Sequence, residues 1–211
     1  MSGGYILPRK ATADDPLRLA VMISGGGSGL LALIKHQGLG EKRHVTTLVI
    51  ADSDSAGGLR HASRVGISSL VIPLPEGLKG IERRKSHEDS ILQALESHEV
   101  EMVILSGYMR VLTPSFVSRW KGRLVNIHPS LLPMFPGAHA QRDALVAGAK
   151  VSGCTVHFVD EGIDSGHIIE QREVPVLGTD TVEILRDRIK VAEHELYPKV
   201  IDDISSGMVL L

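Results

Sequence analysis

Asn126 and His128 stand two residues apart in the run V-N-I-H-P-S-L-L-P at 125–133. In an extended chain residues i, i+2 and i+4 share a face, so Leu124, Asn126 and His128 point the same way. An amide and an imidazole held side by side can polarise a carbonyl and manage a proton. The plainer alternative is a satisfied histidine in a turn stiffened by Pro129 and Pro133. Asp164, in G-I-D-S-G at 162–166, offers a third polar group. A carboxylate beside an imidazole stabilises the imidazolium. Taken by itself, Asp164 reads at least as well as a turn cap, with Gly162 and Gly166 permitting tight or left-handed backbone.

A second chemical feature is the run S-G-G-G-S-G at 24–29, followed by Leu30, Leu31, Leu33 and Ile34 at helical spacing. The first N–H groups of a helix lack partners and sit at the positive end of its dipole, so they bind anions. Glycines let a phosphate approach the backbone, and Ser28 adds a hydroxyl. No Gly-Lys-Ser/Thr follows, which excludes a Walker A loop. Gly27-x-Gly29-x-x-Ala32 also fits a dinucleotide fingerprint, with Asp52 placed as a ribose-binding acid. A monophosphate site, a nicotinamide site and a structural turn all remain open from these residues.

The elements that must position these groups follow from hydrophobic periodicity. Apolar runs at 17–23, 45–51, 67–73, 102–105 and 124–127 predict strands. Segments at 59–65, 81–98 and 114–120 predict helices between them. This alternation implies an α/β, Rossmann-like, mostly parallel sheet with helices on both faces. Two later β-rich runs, 155–159 and 167–176, are joined by a short connection. The sheet is therefore expected to end mixed, at about seven strands. Asp180 and Glu183 have capping-box spacing at the head of a closing helix over 180–193. Residues 1–16 are polar and read as a flexible tail before a single domain at 17–211.

Bulk properties narrow the classes. The chain has 211 residues, 43% hydrophobic and 23% charged, with a formal net charge of -2. That suits one globular domain and gives no electrostatic reason for a nucleic-acid partner. Cys154 is the single cysteine, which excludes an intrachain disulfide and a cysteine-based zinc site and favours a cytoplasmic location. No apolar run is long enough for a membrane helix, and the N-terminus lacks a signal-peptide core.

Four landmarks in order make the chain resemble the glycinamide ribonucleotide (phosphoribosylglycinamide) formyltransferases. They are I-S-G-G-G-S-G-L at 23–30, S-G-Y-M-R-V-L at 106–112, N-I-H-P-S-L-L-P at 126–133 and H-F-V-D-E-G-I-D-S-G at 157–166. E-H-E-L-Y-P at 193–198 is similar too, and the likeness runs from about Arg18 to Ile201. Asn-x-His-Pro-Ser belongs to all formyltetrahydrofolate-using enzymes of this fold, and the glycine loop narrows it to this branch.

The resemblance implies formyl transfer from 10-formyltetrahydrofolate, as co-substrate, to the amine of glycinamide ribonucleotide in purine synthesis. It implies catalysis by Asn126, His128 and Asp164. Gly27, Ser28 and Gly29 would hold the nucleotide phosphate, with Glu193 a substrate-binding acid. Folate would contact Arg84, Met109, Arg110, Val111, Leu112 and Asn126, and the turn Asp160, Glu161, Gly162, Ile163 and Asp164. No metal or redox cofactor is implied, and the partners are small molecules, with the protein a monomer or homodimer. Three departures bear on the acceptor. Gly29 stands where the family usually has Asn, Met134 where a basic residue is common, and G-A-H-A-Q at 137–141 replaces Gly-x-His-x-His. The rival readings are a formyltransferase for another amine, a formyltetrahydrofolate hydrolase, a non-catalytic folate or nucleotide binder and an NAD-dependent dehydrogenase.

Overall fold

Alternation of β-branched runs with amphipathic segments produces thirteen elements in the computed structural model, which describes residues 4–211. In chain order they are β1 (Leu17–Ile23), α1 (Ser28–Gln37), β2 (His44–Ala51), α2 (Leu59–Arg64), β3 (Ser68–Val71), α3 (Gly80–Ser97) and β4 (Met102–Leu105). Then come α4 (Pro114–Arg119), β5 (Leu124–His128), α5 (Ala140–Val146), β6 (Val151–Phe158), β7 (Ile168–Pro175) and α6 (Val182–Ser205). One sheet of seven strands has the order β3-β2-β1-β4-β5-β6-β7. The first five strands pair in parallel, and β6 and β7 join antiparallel.

Both faces of the sheet are covered, as a parallel sheet requires. Along β1, Leu17, Leu19, Val21 and Ile23 enter a core with Leu30 and Leu33 of α1 and Leu185, Ile189 and Leu196 of α6. Ala20 and Met22 point the other way, to Ile91 and Leu95 of α3 and Phe116 of α4. The order in which strands are added reverses at the β1–β4 boundary, because β2 lies on one side of β1 and β4 on the other. In such sheets ligands bind at the carboxyl ends of the strands beside that switch point. The loops at 24–27 and 106–113 converge there.

Three sequence expectations are corrected. Residues 4–16 are not a loose tail. Ala11 is fully buried and its N–H donates to the Ser205 carbonyl at 2.9 Å. The Tyr5 ring meets Phe158 edge-on at 5.6 Å, and Arg9 pairs with Glu101 at 2.6 Å. These anchors are single residues whose partners lie far along the chain, so no local pattern signals them; Met1 to Gly3 lie outside the described residues. Asp180 is not the helix cap. Thr181 caps α6 through the Ile184 N–H, while Asp180 pairs with Arg188 at 2.6 Å and is held at a pKa of about 2 by that contact first. The closing helix also runs on to Ser205, with Pro198 inside it. Among the described residues no helix is long and apolar enough to cross a membrane.

Candidate active site

β5 delivers Asn126 and His128 to the carboxyl edge of the sheet, paired opposite His157 and Thr155 of β6. His128 is 5% exposed, so its ring nitrogens need partners inside the protein. Nε2 faces the Phe135 carbonyl at 2.9 Å, and Nδ1 faces Asp164 Oδ2 at 3.2 Å. Both neighbours can only accept, so the imidazolium form satisfies both contacts. The same Asp164 oxygen accepts the Gly137 N–H at 2.8 Å. The loop after β5 and the acidic turn therefore clamp each other across His128.

The acidic turn holds a surprise in its backbone. Left-handed geometry falls on Asp164 itself, with φ of 52°, and not on Gly162 or Gly166. Aspartate tolerates this region better than most residues, and here the conformation accompanies a carboxylate aimed at His128. Asp160 caps the turn, accepting from Gly162 N at 3.0 Å and Ser165 Oγ at 2.8 Å. Glu161 accepts from Ser118 at 3.2 Å, and Ile163 is exposed.

His157 belongs to the cluster too, and in the sequence it is only the first residue of the run at 157–166. Its Nδ1 bonds the Phe158 carbonyl at 3.0 Å, which requires a proton there. Burial lowers its pKa, against smaller opposing pulls from that carbonyl and Asp164. Nε2 of the neutral ring then carries a lone pair, which accepts from Asn126 Nδ2 at 3.3 Å. That contact orients the amide. One Asn126 N–H is held by His157, and the other remains for the cleft. Nothing local to either residue announces this pairing; it is created by the antiparallel register of β5 and β6.

Gly27 opens α1 with φ of 66°, and α1 has neither a capping side chain nor an acid in its first turn. A Cβ on Gly27 would lie 2.7 Å from the Gly58 Cα, so this glycine is required by the packing of the loop on the α2 entry. Two bonds join the glycine loop to the loop after β4: Ser24 N donates to the Gly107 carbonyl at 3.2 Å, and Met109 N donates to Ser24 Oγ at 2.8 Å. Asp52 is buried and receives Arg110 Nε at 2.5 Å. A dinucleotide ribose would have to displace that guanidinium, which counts against the dehydrogenase reading.

Arg84, Met109, Arg110, Val111 and Leu112 meet around a cavity of about 260 Å³. Leu74, His87, Glu88 and Tyr108 complete the lining, and these four were not anticipated. His87 Nδ1 lies 3.2 Å from the Pro73 carbonyl and Nε2 lies 2.8 Å from the Tyr108 hydroxyl. Burial lowers the His87 pKa and raises that of Tyr108. Glu88 fastens the Thr113 N–H and hydroxyl, which starts α4. Met109 and Val111 remain exposed, as apolar binding surfaces do. The turn 160–164 does not line this cavity.

Glu193 sits one helical turn before Tyr197 on α6, and the single Tyr197 O–H is shared between the carbonyls of Leu105 and Val125, each 2.9 Å away. Burial pushes the Glu193 carboxyl up to about 7, with Lys190 pulling slightly the other way. At the opposite edge, Asp202 accepts from His36 at 2.7 Å and His44 at 2.9 Å, and Gln37 holds the remaining His44 nitrogen at 2.9 Å. That cluster satisfies itself and ties α1, β2 and α6 together.

Comparison with known proteins places this geometry. The "Formyl transferase" family model matches residues 17–201. A relative named Trifunctional purine biosynthetic protein adenosine-3, from Chironomus tentans, is 46% identical over 196 residues, 92% of this chain. The chain spans only 14% of that relative's length. Phosphoribosylglycinamide formyltransferase of Escherichia coli (strain K12) is 35% identical over 191 residues, covering 90% of this chain and 88% of that protein. The crystal structure of glycinamide ribonucleotide transformylase 1 from Symbiobacterium toebii superposes with a TM-score of 0.87 at 41% identity, over 93% of this chain and 91% of that one. With the match running from the first strand into the last helix, this chain belongs to the formyl transferase family.

Proposed function

We propose that the protein transfers the formyl group of 10-formyltetrahydrofolate to the amine of glycinamide ribonucleotide, a step of purine synthesis. The observation that carries this reading is the placement of Asn126, His128 and Asp164 on the sheet edge that also holds the uncapped α1 N-terminus and the Arg84–Leu112 cavity. The names of relatives that the chain covers almost fully point the same way. The acceptor phosphate lies on Gly27, Ser28 and Gly29, and Glu193 accepts hydrogen bonds from the acceptor. The folate head enters the cavity lined by Arg84 and Met109 to Leu112, and the turn Asp160 to Asp164 flanks the approach.

In the reaction the amine nitrogen attacks the formyl carbon, and the carbonyl pair moves onto oxygen. The bond from carbon to the folate nitrogen then breaks; the amine loses a proton and the folate nitrogen gains one. The Asn126 N–H left open by His157 meets the developing oxyanion. His128 and Asp164 lie in contact beside it. Both His128 nitrogens face protein oxygens, Nε2 the Phe135 carbonyl and Nδ1 the Asp164 carboxylate. No metal takes part in this scheme.

The test is an assay with purified protein, 10-formyltetrahydrofolate and glycinamide ribonucleotide. Formylated nucleotide is expected in amounts equal to the folate consumed. Formate release without acceptor would make it a hydrolase, and inertness toward glycinamide ribonucleotide beside turnover of another amine would move the acceptor.

A further inference from the structure

The missing side chain at position 29 has a structural counterpart. Gly29 lies in the first turn of α1, where the acceptor phosphate is placed above. A Cβ built on Gly29 would stand 2.5 Å from Ser106 Oγ and 3.7 Å from Ser106 Cβ. The hydroxyl is thus the nearer atom and is aimed at residue 29. Ser106 follows β4 directly, and its backbone N–H donates to the Met22 carbonyl at 3.0 Å, which pins it on the β1–β4 switch point. The residue is 7% exposed, yet its hydroxyl makes no hydrogen bond within the described residues. Ser106 Oγ is not one of the buried polar atoms that lack a partner, so this hydroxyl is unclaimed by the protein and open to water or a ligand from the cleft.

We propose that Ser106 is an acceptor-specificity residue, whose hydroxyl donates to the acceptor phosphate in place of a side chain at position 29. The inference rests on the acceptor reading given above. Three observations meet here. The α1 N-terminus supplies backbone N–H groups and positive potential but no side-chain donor beyond Ser28. Gly29 leaves a space that a larger residue would fill. Ser106 turns its side-chain hydroxyl into that space from the neighbouring strand end. An oxyanion above α1 would complete the bonding of Ser106, and a donor to a charged oxygen is among the stronger hydrogen bonds. Position 29 and position 106 are therefore coupled: a side chain at 29 would require the Ser106 hydroxyl to turn away.

Steady-state kinetics on Ser106→Ala, Gly29→Asn and the double variant test this, with glycinamide ribonucleotide and 10-formyltetrahydrofolate varied in turn. Ser106→Ala is expected to raise the acceptor KM about tenfold, the worth of one charge-assisted hydrogen bond. Its kcat and folate KM stay within about twofold, a split that loosened packing at β4 would not produce. Gly29→Asn alone also raises the acceptor KM, by collision. The double variant returns it to within about threefold of wild type, because the new amide replaces the lost hydroxyl. An unchanged acceptor KM in Ser106→Ala overturns the proposal, even where Gly29→Asn fails to fold. A double variant no better than Ser106→Ala removes the pairing. If wild type does not formylate glycinamide ribonucleotide, the acceptor reading falls by itself. Calorimetric titration of inorganic phosphate into wild type and Ser106→Ala then decides Ser106 separately, with equal binding counting against it.

Discussion

At the start of α1 the backbone N–H groups after Gly27 have no capping side chain, whereas at the end of β5 both ring nitrogens of His128 face protein oxygens. The two regions share one sheet edge and differ in how their polar groups are satisfied. Exposed donors at a helix start can wait in water for an anion at little cost. A buried imidazole or carboxylate cannot, because each unpaired buried group carries a desolvation penalty. On the proposed reading, the difference teaches that the binding end is made of backbone and open space, while the reacting end is a closed network already holding its geometry. Asn126 joins the two, with one N–H held by His157 and one left open.

The sharpest way to break this comparison is to remove members of the closed network. Asn126→Ala should cut kcat by roughly 10²–10³-fold, the usual effect of losing an oxyanion donor. His128→Ala should cost at least as much, and Asp164→Asn less, since it weakens the charge beside the ring and keeps the ring. Acceptor KM should move little in all three. Steady-state kinetics decide it; a kcat loss below about tenfold for Asn126→Ala would remove that residue from the oxyanion role.

Next in size is Gly27→Val. The loop looked in the sequence like a place where a side chain would evict an anion. The structure adds that its Cβ meets Gly58 Cα at 2.7 Å, with φ of 66° besides. Overpacking of this kind costs about 1–3 kcal/mol, so a lower melting temperature should accompany loss of acceptor binding. Calorimetry with each ligand should still find the folate site usable. Full acceptor affinity in the folded variant would end the phosphate-loop assignment.

Smaller effects come from titration, and Glu193 and His157 should respond in opposite senses. The Glu193 carboxyl is raised by burial from 4.5 to about 7. Its contribution to stability is fully present below about 4.5 and is lost as pH rises through about 7. Denaturant unfolding of Glu193→Gln should lack that decline and gain on wild type at pH 8. Equal differences at pH 5 and pH 8 would contradict the raised value. The His157 pKa is instead lowered by burial. Its contribution is present above the unfolded value near 6.5 and is lost as pH falls. His157→Gln should therefore be less sensitive to acid between about pH 6.5 and 5, measured the same way, and an unchanged acid slope would argue against a neutral buried ring.

Local pattern determined much of this protein. The strand–helix alternation foretold the parallel half of the sheet and its antiparallel end, because side-chain periods of 2 and 3.6 are properties of short segments. Asn126 and His128 were legible for the same reason, since a two-residue spacing on a strand decides their common face. Arg84 and Met109 to Leu112 came from resemblance to a family, and the fold gathers them at one cavity. Tertiary structure alone decided the rest. Asp164 meets His128 only because the turn after β6 folds back over the loop after β5. His157 orients Asn126 through strand register, Arg110 occupies Asp52, and residues 4–16 lie against Ser205 and Phe158. Ser106 faces Gly29 across the switch point. Each of these joins residues remote in sequence, and hydrogen bonds and close contacts act through distances of a few ångströms that chain order does not encode.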